Sequence, residues 1–531
     1  MIPLHVHSNY TLLKGAARIQ ELIDEAGKNH LDSLALTDTN GMYGLIQFAK
    51  AAAEKKIKPV LGCMIDQPDD ESLYAILIAK NNSGYEDICK IITSRKLNDD
   101  FTPRSLLSRQ LENLYVITPS IELLKEYGHE ENVFAELIIT KKNKNKARQL
   151  YNYAKEQGFK LVGTNPVYFL KPEDYELHKA VSAIRLNKTL DNISEDEIAD
   201  NEFYFKNCTE VDKIFRNIPE AIKNSESIAA NCNVDLHLHE YKFPTFHGDS
   251  ESFSLLWQKC FEGLKKRYSP LSETAVDRLN MELNVIKDMN FVDYFLVVWD
   301  IVNEAKKRGM VTIGRGSAAN SIVSYCLGLT DVDPIKYDLY FERFLNKGRS
   351  SPPDVDIDFS WKERDEIVKY VFEKYGYENV AMISTTVTFR ARSAFREIAK
   401  AYGLTNEEIS KYSKYIPWTD ARNLSNLSEK FPESRSLNFK IEPWKTIVSL
   451  AVQLAGFPRH LSIHPGGIII TPKPITNYTA LEYAKNKGLG LIITQPDMYS
   501  IEDLGLVKID LLSQRSLGVL RDTMDAIQKN S

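Results

Sequence analysis

The segment SSPPDVDIDFSWKERDEI (residues 350–367) carries an aspartate at every second position, at Asp354, Asp356 and Asp358. The residues that alternate with these aspartates are all apolar: Val355, Ile357 and Phe359. Because side chains alternate between the two faces of a β-strand, the pattern predicts a strand with three carboxylates on one face and a buried apolar face behind them. Carboxylates crowded in this way repel one another unless a positive charge lies between them, usually a divalent cation.

Two other interpretations of the aspartates are a calcium site and a solvent-facing strand. A calcium-binding loop would contain glycine and irregular spacing rather than strict alternation. Aspartate is depleted in strands, so a solvated face explains the pattern poorly. The segment therefore favours a divalent-metal site.

A glycine-rich turn precedes the aspartates. In TIGRGSAANSIVSYCLGL (residues 312–329), an apolar strand end leads into Gly314, Arg315, Gly316 and Ser317 and then into an apolar helix. Such a turn offers backbone N–H groups and a helix N-terminus to a phosphate. Arg315 adds a charge, and the Ser317 hydroxyl could cap the helix or bind a phosphate oxygen. A plain strand–helix connection is the alternative.

A basic loop, FERFLNKGRSS (residues 341–351), connects the turn to the aspartates and contains Arg343, Lys347 and Arg349. A phosphate turn, a basic loop and a carboxylate strand are the components of metal-assisted phosphoryl transfer. In that chemistry two cations about 3.5–4 Å apart stabilise the attacking and the leaving oxygen.

The bulk composition restricts the class of protein. At 531 residues the chain is too long for one core, and several domains are expected. A net charge of −5 leaves attraction to a polyanion to local basic patches. The six cysteines form no CxxC pair, which argues against a zinc knuckle and a disulfide framework. Without a signal-peptide pattern or a long apolar run, we expect a cytoplasmic protein with no membrane span.

Short apolar runs alternate with helical patterns up to about residue 235, which predicts a largely parallel sheet covered by helices, with closure into a barrel as one option. Amphipathic helices follow, and residues 388–455 read as helical. Strand patterns return from HPGGIIITP to LGLVKIDLLSQ, and the last stretch predicts one helix.

The motifs together resemble a known family. GRGSAANSIVSYCLGLTDVDPIKYDLYFERFLNKGRSSPPDVDIDF (residues 314–359) is similar to the palm of bacterial DNA polymerase III alpha subunits, the replicative polymerases of family C. The likeness begins at LHVHSNYTLLKGA and ends at EDLGLVKIDLLSQRSLGVL. It implies an α/β and α+β multidomain fold: an N-terminal PHP-type (polymerase and histidinol phosphatase) distorted β/α barrel, then a nucleotidyltransferase-like palm with a helical thumb insertion.

The resemblance also implies domain limits. It predicts a PHP domain at 1–235, palm segments at 236–387 and 456–515, a thumb at 388–455, and the start of the fingers at 516–531. Family members are usually about twice as long, so we expect a chain truncated before the fingers, as a truncated, split or excised form.

In this family three carboxylates hold two catalytic Mg²⁺ ions, and the matching residues are Asp356, Asp358 and Asp510. A strand-end cap is the alternative role for Asp510, whereas Asp354 matches a supporting aspartate. The glycine-serine motif implies that the triphosphate is bound by Gly314, Arg315, Gly316, Ser317, Arg343 and Arg349. Asn320 stands where family members commonly carry glycine, and His464 is expected to be structural or to contact a backbone phosphate.

DNA contacts are expected at Arg390, Arg392, Arg396 and Lys347. Arg392 and Arg396 are four residues apart and share a helix face. A solvated helix face is the alternative for the three arginines.

The N-terminal region resembles the PHP domain, whose active members bind about three metals. His5 and His7 share one face at i, i+2 spacing, and Asp38 and Glu136 fall on ligand-like positions. Other ligand positions hold non-ligating residues, namely Thr39, Met64 and the run Asn165-Pro166-Val167-Tyr168. We therefore expect a degenerate metal site without bound metal and a scaffold domain without exonuclease activity.

The resulting hypothesis is a DNA-directed DNA polymerase that acts on primer–template DNA and dNTPs, with replisome subunits such as the sliding clamp as partners. One alternative is a PHP-type metal-dependent phosphoesterase or exonuclease. Another is a catalytically inactive DNA-binding remnant.

Overall fold

The computed structural model describes residues 1–106, 111–246, 249–346, 348, 353, 355–484 and 491–530. The helices are α1 Ile19–Lys28, α2 Leu45–Glu54, α3 Asn82–Leu97, α4 Pro103–Leu106, α5 Ile121–Tyr127, α6 Lys144–Gln157, α7 Tyr175–Leu186, α8 Cys208–Phe215, α9 Pro219–Asn231, α10 Asp249–Arg267, α11 Glu273–Asp288, α12 Val292–Lys307, α13 Ile322–Cys326, α14 Arg364–Tyr375, α15 Ala391–Ala401, α16 Asn406–Ser413, α17 Leu427–Lys430, α18 Trp444–Gln453, α19 Met498–Asp503 and α20 Arg515–Asn530.

The strands are β1 Ser33–Leu36, β2 Lys58–Gln67, β3 Asp70–Ala79, β4 Leu114–Thr118, β5 Val133–Ile138, β6 Lys160–Thr164, β7 Thr312–Arg315, β8 Asp356–Ser360, β9 Val380–Thr388, β10 Pro458–Ile470, β11 Leu481–Tyr483, β12 Ile492–Asp497 and β13 Lys508–Gln514. Within the described residues, no helix is both long and apolar enough to cross a membrane.

The chain forms two compact units. The first contains residues 1–236, 385–462 and 479–483, and the second contains residues 237–384, 463–478 and 484–531. The helical segment predicted as a thumb thus groups with the N-terminal residues. The reason is a shared core, in which Phe395 and Ile398 of α15 pack in one cluster with Phe169 and Val181. The division into PHP, palm, thumb and fingers stays a prediction.

The first unit is built on a curled sheet ordered β1-β2-β3-β4-β5-β6. The β1–β2, β4–β5 and β5–β6 pairs are parallel, as the alternating pattern predicts. β3, which the sequence pattern did not reveal, is antiparallel to both β2 and β4. Only two residues, Pro68 and Asp69, connect β2 to β3, and so short a link permits a hairpin but not a parallel crossover.

The N-terminal segment bridges the two ends of this sheet. Val6 accepts a backbone hydrogen bond from Thr37, just beyond β1, at 2.8 Å. On its other side, the His7 N–H donates to Val167, beyond β6, at 2.8 Å, and the Val167 N–H donates to His5 at 2.9 Å. This bridging places His5 and His7, both buried, inside the curl of the sheet.

The second unit contains a sheet in which six strands follow the order β12-β9-β10-β13-β8-β7. β8 lies between β13, to which it is parallel, and β7, to which it is antiparallel. The apolar face predicted for β8 is present, since Val355, Ile357 and Phe359 are fully buried. Burial of that face fixes which way the aspartates point, because a shift of one residue would turn every side chain over.

Candidate active site

One row of residues crosses four strands of the second sheet. Asp356 on β8 pairs with Arg315 on β7 and with Asp510 on β13, and Asp510 pairs in turn with Gly467 on β10. Neighbouring strands are about 4.8 Å apart, and residues directly opposite one another point to the same face. Asp358 lies two residues beyond Asp356 on that face. The three predicted carboxylates are therefore sheet neighbours, and Asp510 lies within β13 rather than at a strand end.

Basic side chains lie among the carboxylates. The Arg315 Nε is 3.3 Å from Asp358 Oδ1 and 3.9 Å from Asp356 Oδ2, and the Lys508 Nζ donates to Asp510 Oδ2 at 2.7 Å. Arg315 and Lys508 offset the mutual repulsion that the sequence predicts for this face. Both are partly exposed, so they can swing away from the carboxylates when another cation competes.

Asp510 retains an unused acceptor. Its side chain is only 7% exposed, so water does not reach Oδ1 freely, and Oδ1 accepts no hydrogen bond from the protein. A buried carboxylate oxygen without a donor is costly, and a divalent cation would satisfy it. Within the described residues, no three His, Cys, Asp or Glu side chains converge as a metal cluster. Here Asp358 and Asp510 are paired instead with Arg315 and Lys508. The donor set nevertheless fits a hard, oxygen-preferring cation once those two groups move.

His464 has a structural role in this site. Its Nδ1 accepts hydrogen bonds from the N–H groups of Gly467 at 2.6 Å and Gly466 at 3.3 Å, so that nitrogen carries no proton. The 3.5 Å approach of the same Nδ1 to Asp510 Oδ1 is therefore not an ion pair. The sequence-based expectation offered a structural role for His464, and these contacts are of that kind.

Gln514 is a neighbour that the sequence analysis missed. Its Nε2 donates to Asp358 Oδ1 at 3.4 Å from the last position of β13. The signal was available in principle, because Gln514 lies an even number of residues after Asp510 and so shares its face.

The glycine-rich turn lies against the aspartates. A Cβ at Gly316, where φ is +73°, would stand 3.7 Å from Asp356 Oδ2, and a Cβ at Gly314 would collide with the Leu329 carbonyl at 1.9 Å. Neither position therefore accommodates a larger residue without strain. The turn continues as a 3-10 helix, Gly316–Asn320.

The helix after the turn is only five residues long, and its N-terminus is already capped. The Ser321 hydroxyl accepts from the Ser324 N–H, and the buried Glu282 carboxylate accepts from the Ser321 hydroxyl at 2.7 Å and the Val323 N–H at 3.2 Å. Of the two roles considered for the Ser317 hydroxyl, capping of this helix is wrong, because Ser321 is the cap. The phosphate-binding role of Ser317 stays a prediction.

Asn320 supports the turn from within. It is buried, and its Nδ2 donates to the Ser317 carbonyl at 2.9 Å. Its own carbonyl accepts from Arg278 Nη2 at 3.2 Å, and Arg278 in turn pairs with Glu282. The residue that departs from the family pattern is thus tied to the serine expected to bind phosphate.

The remaining predicted phosphate ligands are less informative. Arg343 lies exposed at the end of a 3-10 helix, Phe341–Arg343. Lys347, Arg349 and the supporting Asp354 lie outside the described residues.

The three arginines predicted to contact DNA differ in their partners. Arg392 donates from its guanidinium to the Ile416 carbonyl, with Nε at 3.0 Å, and Arg396 donates from Nη1 to Ser413 Oγ at 3.0 Å. Both arginines attach α15 to the chain at and after α16. Arg390 instead lies over the ring of Trp418, with its Cζ 5.4 Å from the centroid.

The N-terminal unit holds a second cluster, formed by the predicted degenerate PHP residues. His5 Nδ1 lies 2.7 Å from Glu136 Oε1, and His5 Nε2 lies 3.0 Å from His7 Nε2. The Thr11 hydroxyl donates to Asp38 Oδ1 at 2.7 Å and so accepts from His7 Nδ1, at 3.1 Å. The lone pairs that would bind metal are therefore engaged within the cluster.

Hydroxyl groups complete this second network. Ser8 donates to both Asp38 oxygens, through its N–H at 2.7 Å and its hydroxyl at 2.8 Å. Glu136 accepts from Tyr74 Oη at 3.0 Å and from Thr164 Oγ1 at 2.6 Å. Both ring nitrogens of His5 and both of His7 therefore have partners within the cluster.

Burial governs the ionisation of this cluster. Desolvation, aided by the charges of His5 and Lys14, lowers the pKa of His7 well below its usual value. Desolvation also raises the pKa of Asp38 to about 6, against the opposing hydrogen bonds from Thr11 and Ser8. Two residues that depart from the PHP pattern are buried: Tyr168 stacks on His7 with ring centroids 4.2 Å apart, and Met64 packs in the apolar core. The residues present do not fit a multi-metal centre.

Comparison with known proteins identifies the classes of domain. Residues 3–195 match the family model of the PHP domain, and residues 254–513 match that of the bacterial DNA polymerase III alpha NTPase domain. The expected fold class, mixed α/β with a PHP-type N-terminal region and a polymerase alpha region, is thereby confirmed.

Curated relatives extend the match along the chain. The DNA polymerase III alpha subunits of Bacillus subtilis and Halalkalibacterium halodurans are 35% and 33% identical over 99% of this chain. The error-prone DNA polymerase of Symbiobacterium thermophilum is 32% identical over the same share. These alignments cover 49%, 49% and 52% of the respective relatives, so the chain spans about half their length. The chain belongs to the bacterial DNA polymerase III alpha family.

Proposed function

We propose that this chain carries the nucleotidyl-transfer site of a DNA-directed DNA polymerase. In the proposed reaction the primer 3′-hydroxyl loses its proton and bonds to the α-phosphorus of a dNTP. The bond from that phosphorus to the bridging oxygen breaks, and pyrophosphate leaves. The observation that carries the proposal is the register of β8 and β13, which pairs Asp356 with Asp510 beside Asp358.

The proposed metal ligands are Asp356, Asp358 and Asp510. Two Mg²⁺ ions held there would stabilise the attacking and the leaving oxygen as Lewis acids. The unpaired Asp510 Oδ1 supports this assignment. Lys508 orients Asp510 through the hydrogen bond from its Nζ to Oδ2.

The proposed triphosphate site comprises Gly314, Arg315, Gly316, Ser317, Arg343 and Arg349. Its support is the pairing of Arg315 on β7 with Asp356 on β8, which brings the turn beside the carboxylates. Arg315, freed from the aspartates when metal binds, would then be available to a phosphate oxygen.

We also propose primer–template DNA as the macromolecular substrate, met by Arg390, Arg392, Arg396 and Lys347, with further replisome subunits as partners. Such a protein acts in the cytoplasm. The PHP-type domain is proposed to serve as a scaffold without bound metal or exonuclease activity, because hydroxyls and imidazoles already satisfy its acidic groups.

The test is single-nucleotide incorporation by the chain supplemented with the part of the Bacillus subtilis alpha subunit that it does not span. Asp356→Asn and Asp358→Asn are each expected to lower the incorporation rate by about 10³-fold or more, since a metal ligand contributes several kcal/mol to the transition state. The matched control is Asp365→Asn on the exposed side of α14, which should leave the rate unchanged.

Wild-type incorporation by Asp356→Asn or Asp358→Asn would contradict the assignment. Mn²⁺-dependent release of phosphate or nucleotides that is lost in His5→Ala would instead support the phosphoesterase alternative. Salt-dependent DNA binding with no incorporation by the unmodified, supplemented chain would support the inactive binding remnant.

A further inference from the structure

An exposed tryptophan is held out from the surface of the first unit. Trp418 lies in the connection after α16 and is 86% exposed. The same helical region buries its other tryptophan, Trp444, which packs against Tyr412 with ring centroids 3.9 Å apart. The core of this region thus buries the ring of Trp444, whereas the ring of Trp418 remains exposed to solvent.

The backbone on both sides of Trp418 is anchored. The Ala391 N–H donates to the Thr419 carbonyl at 3.0 Å, and Arg392 Nε donates to the Ile416 carbonyl at 3.0 Å. These bonds fix the positions two residues before and one residue after Trp418 to the start of α15. The ring is presented from a backbone that cannot easily fold over to bury it.

A cation accompanies the ring. The Arg390 guanidinium lies 5.4 Å from the centroid of Trp418, within the range of a cation–π interaction. Three basic residues, Lys411, Lys414 and Arg422, and one acidic residue, Asp420, occur between positions 411 and 422. This segment therefore has a net positive charge, which together with Arg390 complements a phosphate backbone.

A single exposed apolar side chain is common and by itself means little. Here an anchored loop, a bare tryptophan and a stacked arginine in a basic setting occur together. This combination is typical of surfaces that bind single-stranded nucleic acid, on which unpaired bases stack on aromatic rings while cations contact the phosphates. Bases inside a duplex already stack on one another and offer no free face.

We propose that Trp418 and Arg390 form a stacking site for an unpaired base of a nucleic-acid strand. The site deepens the proposed function and rests on it for the identity of the strand, which would be the single-stranded template. Trp418 supplies the flat ring, and Arg390 polarises that ring and contacts the adjacent phosphate.

The experiment measures equilibrium binding of two labelled DNAs by fluorescence anisotropy with the full chain. One is a primer–template with a single-stranded overhang of about ten nucleotides, and the other is the same duplex with blunt ends. Trp418→Leu, which keeps an apolar side chain without a π-face, is expected to bind the overhang DNA about 5- to 150-fold more weakly and the blunt DNA equally well. Trp418→Phe should retain most of the affinity.

Trp257→Leu is the matched control, because Trp257 is a partly exposed tryptophan on α10 and its removal should change neither affinity. Equal binding of the overhang DNA by wild type and Trp418→Leu would overturn the proposal, as would failure of the wild type to bind it. Equal weakening on both DNAs would also overturn it, in favour of a duplex contact. If Trp418→Leu changes only the self-association of the chain, measured by sedimentation, the exposed ring is a protein contact instead.

Asp356→Asn separates this proposal from the proposed function. That variant is expected to bind the overhang DNA as tightly as the wild type, because binding at Trp418 involves no chemistry. If Asp356→Asn incorporates nucleotides normally, the assignment of the carboxylates fails while the Trp418 result still decides the stacking site.

Discussion

Each compact unit contains a cluster of acidic side chains, and the two clusters differ in what surrounds them. Around Glu136 and Asp38 the neighbours are buried hydroxyls and imidazoles, which satisfy the carboxylates permanently. Around Asp358 and Asp510 the neighbours are Arg315 and Lys508. These two side chains are partly exposed, so water can solvate their charges when they move away from the carboxylates. Residue types alone do not make a metal site. What matters is whether the groups beside the carboxylates can be displaced.

The largest expected effect is a loss of stability when the N-terminal cluster loses a carboxylate. Glu136→Ala removes a fully buried carboxylate. It leaves the buried polar groups of His5, Tyr74 and Thr164 without their shared partner, so we expect the free energy of unfolding of the first unit to fall by about 3–5 kcal/mol. The measurement is native-state hydrogen exchange of β5 and β6.

Asp510→Ala is the matched change in the second unit. It removes a carboxylate whose Oδ1 has no hydrogen bond and whose ion-pair partner Lys508 reaches solvent, so we expect a loss within about 1 kcal/mol. Comparable losses in the two units would contradict the distinction between carboxylates with buried partners and carboxylates with displaceable partners.

The second prediction concerns pH. The pKa of Asp38 is raised to about 6 in the folded state, from 3.8, so its contribution to stability is fully present below about pH 3.8 and is lost as the pH rises through 6. Relative to Asp38→Asn, the wild type should lose about 2.5 kcal/mol between pH 4 and pH 7.5. Urea unfolding of both proteins across this range provides the measurement, and a wild type that gains stability relative to the variant would show the opposite sign.

The opposing effect of His7 is removed by that comparison. Its pKa is lowered, so its contribution is present above its unfolded value near 6.5 and is lost as the pH falls through the lower folded pKa. Both proteins carry His7, so the difference between them isolates Asp38.

The third prediction compares the clusters as metal sites, with Mn²⁺ alone as the probe. Asp358→Asn is expected to weaken Mn²⁺ binding to the chain by at least about tenfold, or about 1.4 kcal/mol, because one oxygen ligand becomes a neutral amide. His5→Ala should leave the affinity and the stoichiometry unchanged. Calorimetric titration measures both, and a lower stoichiometry in His5→Ala would place metal in the N-terminal cluster.

The smallest expected effect concerns the support of the phosphate turn. Asn320→Gly removes a hydrogen bond to the Ser317 carbonyl worth about 1 kcal/mol, so we expect the KM for dNTP to rise about fivefold. Mn²⁺ affinity should not change, because Asn320 contacts the turn and not the carboxylates. An unchanged KM would remove Asn320 from the positioning of Ser317.

Several expectations from the sequence hold because they depend on local geometry. The alternation at Asp356 and Asp358 predicts their common face, and the helical patterns predict α10, α11 and α12. β3 was missed, and with it the antiparallel pairs, because its charged first half hides the strand pattern. The i, i+4 spacing of Arg392 and Arg396 predicts a shared helix face, but it does not reveal their hydrogen bonds to Ile416 and Ser413, which lie 24 and 17 residues along the chain. Their role as DNA contacts stays a prediction.

By itself, the sequence determined the family, the carboxylate face of β8 and the loss of ligand types from the PHP-type region. Those features follow from residue identity and from the two-residue period of a strand, both of which are local. Only the tertiary structure decided that Asp510 lies opposite Asp356, that His464 accepts from glycine N–H groups, and that hydroxyls complete the N-terminal cluster. Strand register and side-chain burial depend on contacts between segments that are distant in sequence. The free energy of such contacts exists only in the folded chain and cannot be derived from any one segment.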